Sequence, residues 1–181
     1  MRAIAAAPRV TCVSSLAHRV GVLDFDDLQA ARRYRPWRAY AQSKLAILSF
    51  ALALHRRSDA GGWGLRSTAA HPGWALTNLY TNGPASEGVP PLLTRMMRRA
   101  TRLLSHTAEV AARPVLFAAT AEAAAPGGYY GRCWMCELFG RPAVAWASPA
   151  ARDPVRAARL WQAAEALTGL RFPPIAAASR P

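Results

Sequence analysis

An ordered alternation of short apolar strands and long helix-period segments constrains this chain more than any other feature. Val10 to Ser14 (Val-Thr-Cys-Val-Ser) is apolar and β-branched, which predicts a short buried strand ending in small polar residues. Residues 16 to 35 follow as a polar connection. From Trp37 to about His55 the apolar residues Tyr40, Leu45, Ile47, Leu48, Ala51, Leu52 and Leu54 recur at helical spacing. Pro36 stands where a helix's first turn accepts it, because its missing N–H is not needed there. The glycines of Asp59 to Gly64 end that helix, and a second strand from about Leu65 to Ala70 is cut off by His71-Pro72-Gly73.

Beyond this point residues 80 to 91 are rich in Gly and Pro and read as loop, and 92 to 104 as a short basic amphipathic helix. Thr107 is placed to cap a helix running to about Ala123, with Glu109 in its first turn; Pro114 predicts a kink or a later start. Gly127 to Gly131 suggests a third strand, and Asp153-Pro154 opens a last helix through about Leu167. Strand, helix, strand, helix, strand is the pattern of a parallel sheet covered by helices. With right-handed crossovers it makes half of a doubly wound sheet. The expected class is α/β, a partial Rossmann-like αβα sandwich, as one domain over residues 1 to 172 with a disordered tail at 173 to 181.

Composition removes other classes. Hydrophobic residues are 52% and charged residues 18%, which fits a globular chain. No apolar run reaches the length of a membrane span. Pro8 and Arg9 interrupt the Ala-rich start too early for a signal peptide, so a cytoplasmic protein is expected. The net charge of +13 invites nucleic acid, but the 23 basic residues are scattered without a block or a binding motif, and no nucleic-acid partner is expected. Cys133-Trp134-Met135-Cys136 has the spacing of a redox or half-zinc motif. It lacks a second ligand pair and does not open a helix, so it reads as two small side chains near a strand end, with no metal expected.

Tyr40 and Lys44 stand at i and i+4, on one helix face. A phenol, ordinarily near pKa 10, exchanges protons at neutral pH only with help. An adjacent ammonium and the positive end of a helix both favour the phenolate. Ser15, at the end of the first strand, lies where open α/β sheets place their ligands, and its hydroxyl suits a substrate carbonyl. Alone, such a pair also arises as a lysine snorkelling over an aromatic ring. Context adds weight: Lys44 is the only lysine in the chain, all other basic residues being arginine. A guanidinium does not replace a compact ammonium where one point charge must sit.

Val13-Ser14-Ser15-Leu16-Ala17-His18, Asp24-Phe25-Asp26-Asp27-Leu28 and Tyr40-Ala41-Gln42-Ser43-Lys44-Leu45-Ala46 resemble the short-chain dehydrogenase/reductase family. The branch with retinol-dehydrogenase-like enzymes and the WW-domain oxidoreductase is the most similar, having a long insertion between serine and tyrosine. His71-Pro72-Gly73-Trp74-Ala75-Leu76-Thr77, the Gly-Gly-Tyr-Tyr-Gly strand and the late Leu160-Trp161…Glu165…Leu167-Thr168-Gly169 helix also fit. The resemblance spans roughly Pro8 to Phe172. It implies that Ser15 polarises a carbonyl, Tyr40 delivers or removes the proton, and Lys44 assists the tyrosine and holds the nicotinamide ribose. It further implies that Pro72, Gly73, Trp74, Ala75 and Thr77 line an NAD or NADP cofactor.

The family's N-terminal half would supply the Gly-rich pyrophosphate turn, the NAD/NADP-selecting residue and the catalytic asparagine, and only fourteen residues precede Ser15. The expectation is therefore the C-terminal half of the fold, with the first strand at a raw sheet edge. Two readings follow: an NAD(P)-dependent oxidoreductase acting on a hydrophobic carbonyl or alcohol, or a non-catalytic truncated remnant that acts through association. The candidate macromolecular partners are a second copy of the chain or a complementing chain.

Overall fold

The protein is described by a computed structural model over residues 8–73 and 107–173. Four strands, β1 (Arg9–Val13), β2 (Arg66–Ala70), β3 (Tyr129–Trp134) and β4 (Phe139–Val144), form one sheet in the order β1-β2-β3-β4. β1 and β2 pair in parallel from Arg9↔Arg66 to Val13↔Ala70, and β2 pairs in parallel with β3 at Ala69↔Tyr129 and Ala70↔Tyr130. The α/β class and the parallel core agree with the sequence.

β4 departs from it. The third strand begins later than Gly127, runs to Trp134 and turns back as an antiparallel partner. Gly140 and Pro142 make Phe139–Val144 a poor strand by composition. Pro142 is tolerated opposite Arg132 because β4 is an edge strand, where a missing N–H leaves no ladder bond unmade.

Helix α1 (Pro36–Ala60) starts with Pro36 in its first turn, as expected, and runs five residues past His55. Leu45 and Leu48 are fully buried and meet Ala69 and Tyr129 of the sheet together with Ala151 of α3 (Pro149–Arg152) and Leu160 of α4 (Pro154–Thr168). Burial of each such leucine contributes roughly 1.5–3 kcal/mol relative to exposure. Residues one step along the same strands, Ala70 and Tyr130, face the other way and pack on Ala118 of α2 (Ala108–Thr120). This alternation, set by the two-residue period of a strand, produces three layers.

The predicted Thr107 cap is present, accepting from the Val110 N–H, and Asp153, expected to open the last helix, accepts from Val155 and Arg156. α2 begins at Ala108, so Pro114 lies inside it rather than delaying its start. A proline there deprives the carbonyl four residues back, Val110, of its donor. Arg132 of β3 supplies one, donating from Nη1 to the Val110 oxygen at 2.8 Å.

β1 is less buried than its apolar run alone suggests, in keeping with the raw sheet edge expected for it. It closes one edge of the described sheet, and Val10 and Val13 are 37% and 43% exposed. The connection after it is also more ordered than its polarity suggests. Leu16–Val20 forms a 3-10 turn, with the Ser15 hydroxyl accepting from the Ala17 N–H.

Candidate active site

The C-terminal ends of β1 and β2 lie side by side, the position at which open α/β sheets collect ligands. Two hydrogen bonds fasten helix α1 to this edge. The Ser14 hydroxyl donates to the Lys44 carbonyl at 2.8 Å, and Lys44 Nζ donates to the Val13 carbonyl at 3.3 Å. The ammonium stands 5.6 Å from the centre of the Tyr40 ring, whose other neighbour is Trp37 at 5.8 Å. The head turns onto a strand end at the surface, and partial burial pulls its pKa below the usual lysine value.

Ser15 follows one residue beyond Ser14, at the mouth of the 3-10 turn. Its oxygen spends a lone pair on the Ala17 N–H at 3.2 Å, which leaves the O–H proton available for donation. Pro72 and Gly73 leave the end of β2 beside it. Gly73 adopts φ +75°, where a side chain would also press on the Glu137 and Leu138 carbonyls. Trp74, Ala75 and Thr77 lie outside the described residues, as does the apolar segment of residues 80 to 104.

Beneath this edge is a buried polar cluster that pattern reading missed. His18 is fully buried; its Nδ1 donates to the Ser15 carbonyl at 2.7 Å and its Nε2 accepts from the Ser148 N–H at 3.3 Å. One nitrogen donating and one accepting makes a neutral imidazole. Burial accordingly pushes the His18 pKa down. Tyr129 meets His18 edge-on at 5.5 Å, and burial holds its phenol well above the usual range.

His71 is equally buried and has the opposite tautomer. Its Nδ1 accepts the Gly73 N–H at 3.1 Å, and its Nε2 donates to Glu137 Oε2 at 3.0 Å. A side chain on Gly131 would collide with that ring, so the glycine makes room for it. Glu137 Oε2 also takes Arg19 Nη2 at 2.8 Å, and Oε1 takes the Trp146 N–H at 2.7 Å. These hydrogen bonds and the Arg19 charge outweigh desolvation and hold the Glu137 carboxyl below the usual range.

No local signal marks Glu137. It sits in the β3–β4 turn, 66 residues from His71 in sequence. The one clue is that both histidines follow strand ends closely. Cys133 near the end of β3 and Cys136 within the same turn are exposed free thiols. Among the described residues no group of three or more His, Cys, Asp and Glu side chains is arranged to hold a metal ion. Among the same residues no helix is long and apolar enough to cross a membrane.

An αβα sheet with serine, tyrosine and lysine at its C-terminal edge defines a class of fold and site. Comparison with known proteins gives it relatives. No family model matches the chain. Retinol dehydrogenase 13 of Homo sapiens is 36% identical over 181 residues, covering 94% of this chain and 49% of that protein. Retinol dehydrogenase 12 of Homo sapiens is 33% identical over 171 residues, covering 93% and 48%. Dehydrogenase/reductase SDR family member 13 of Bos taurus is 36% identical over 166 residues, covering 90% and 40%. A crystal structure of an uncharacterised protein from Mycobacterium paratuberculosis superposes with a TM-score of 0.69 at 35% identity, over 93% of this chain and 53% of that one. Over about nine-tenths of its length the chain is homologous to proteins named as retinol dehydrogenases and as a member of the short-chain dehydrogenase/reductase family. It spans about half the length of the curated relatives it matches.

Proposed function

We propose that this chain carries the catalytic half of an NAD(P)-dependent oxidoreductase that interconverts a hydrophobic carbonyl compound and its alcohol. The observation that carries the reading is the Lys44 ammonium, hydrogen-bonded to the end of β1 beside the Tyr40 ring. An ammonium has three N–H donors, and one is used on Val13. The other two suit the vicinal hydroxyls of a nicotinamide ribose, so this end of the site fits the cofactor chemically. Tyr40, Pro72 and Gly73 border the same end, and Trp74, Ala75 and Thr77 follow in sequence. When bound, the cofactor supplies the hydride.

The chain's own residues have simpler tasks in this scheme. The Ser15 O–H donates to the carbonyl oxygen and orients it. Tyr40 passes its phenolic proton to that oxygen in reduction and takes it back in oxidation. Lys44 keeps a positive charge beside the phenol throughout. Such proton transfer typically contributes about 10²–10⁴-fold. The test is a cofactor-oxidation assay with a hydrophobic aldehyde, run on the chain alone and on the chain fused behind a relative's Gly-rich half. Tyr40→Phe should lower turnover by at least about 100-fold with little change in KM. Undiminished turnover in Tyr40→Phe would refute the proposal.

A second reading has one observation in its favour, the exposed valines of edge strand β1. On this reading the chain has no turnover of its own and acts through association with another polypeptide. Inactivity of both the chain and the fusion, with association by light scattering, would favour it.

A further inference from the structure

We propose that Glu137 is a positioning residue: its carboxylate fixes the tautomer of His71, which in turn holds the Pro72–Gly73 loop against the Ser15 turn. The functional part rests on reading Pro72–Gly73 as cofactor-facing; the tautomer part does not.

Three segments that border the site converge on the two oxygens of Glu137. His71 leads from β2 into Pro72–Gly73, Arg19 belongs to the turn capped by Ser15, and Trp146 follows β4. All three present donors, so the group between them must only accept. A carboxylate meets that demand and a carboxamide does not, because its NH2 would face a donor whichever way it was turned.

The tautomer follows from the bonds. With the Gly73 N–H on Nδ1, a neutral His71 ring must carry its proton on Nε2, and a fully buried ring needs an internal acceptor for it. Glu137 Oε2 is that acceptor. The proton on Nε2 thereby keeps the Nδ1 lone pair for Gly73.

The turn meets the loop a second way. A Cβ on Gly73 would lie 3.2 Å from the carbonyl oxygens of Glu137 and Leu138, so the same turn's backbone backs the glycine. Met135, Cys136 and Glu137 all have positive φ (47°, 55° and 69°), an unfavourable run for side-chain-bearing residues. The run delivers the carboxylate inward, and strain of this kind persists where surrounding contacts over-determine it.

The experiment compares the full chain with Glu137→Gln by long-range ¹H–¹⁵N NMR of the histidine rings, beside titration with NADH and NADPH. The unmutated chain should show His71 as the Nε2–H tautomer. Glu137→Gln should lose that fixed tautomer, shift the Gly73 amide and weaken any cofactor binding roughly 10- to 100-fold. Unchanged His71 and Gly73 signals in a folded Glu137→Gln would overturn the proposal. Should that variant not fold, acidification of the unmutated chain replaces it. Arg19 and His71 bind Glu137 directly, and His18 and Tyr129 lie near enough to feel its charge. In natively folded protein the Gly73 amide must shift together with the Glu137 carboxyl carbon, and a Gly73 amide that stays put while Glu137 is protonated would overturn the clamp. A fusion behind a relative's Gly-rich half that keeps the expected NMR response but binds neither cofactor would keep the clamp and defeat the cofactor reading.

Discussion

His18 and Glu137 link the site to pH through the stability of the fold. His18 is held neutral, its folded pKa below the ordinary 6.5. As pH falls through 6.5 the unfolded chain takes up a proton that the folded chain refuses, so stability decreases on acidification. Glu137 acts in the same direction at lower pH. Its folded pKa lies below the ordinary 4.5, so the stability it contributes is present above 4.5 and is lost as pH falls further. Urea midpoints measured from pH 8 to pH 5 should therefore fall, and His18→Gln should flatten the decline. A midpoint constant across that range would contradict the burial of a neutral His18. Tyr40 and Lys44 were visible in the sequence because their relation is local, four residues on one helix. His18, His71 and Glu137 were not, because each earns its role from atoms dozens of residues away.

Among the elements, α2 and β3 depend on one another through a defect. Pro114 strips Val110 of its helical donor, and Arg132 replaces it. Arg132→Met should cost about 1–3 kcal/mol by leaving that carbonyl unpaired. Pro114→Ala restores the intrahelical N–H, so the same change should cost less in that background. A double-mutant cycle by urea denaturation measures the difference, and strict additivity would show that Arg132 does not serve this carbonyl. Helices α1, α2 and α4 were legible: Pro36, Thr107 and Asp153 mark their starts by chemistry confined to one turn. β4 was not, since Gly140 and Pro142 disqualify it by composition and only the edge of a sheet makes them acceptable. The exposure of Val10 and Val13 was legible only through the family resemblance, which puts β1 at a raw edge, because it depends on what lies beside β1 rather than on the apolar pattern.

For the whole molecule, the four-strand order leaves β1 as an edge of the described sheet, with apolar side chains uncovered. Edges of this kind template association with another strand, and a lysine blunts them. Val10→Lys should reduce self-association of the chain in static light scattering while leaving its circular dichroism unchanged. Equal association in both proteins would place the contact elsewhere. The central claim is that Ser15, Tyr40 and Lys44 serve hydride transfer. Its most direct measurement follows deuterium from the nicotinamide C4 of labelled NADH or NADPH into a hydrophobic aldehyde, using the fusion that supplies the Gly-rich half. The account predicts deuterium on the carbinol carbon, with its transfer suppressed by Tyr40→Phe. A fusion that binds cofactor and aldehyde but transfers no deuterium, or transfers it equally well without the phenol, would contradict it.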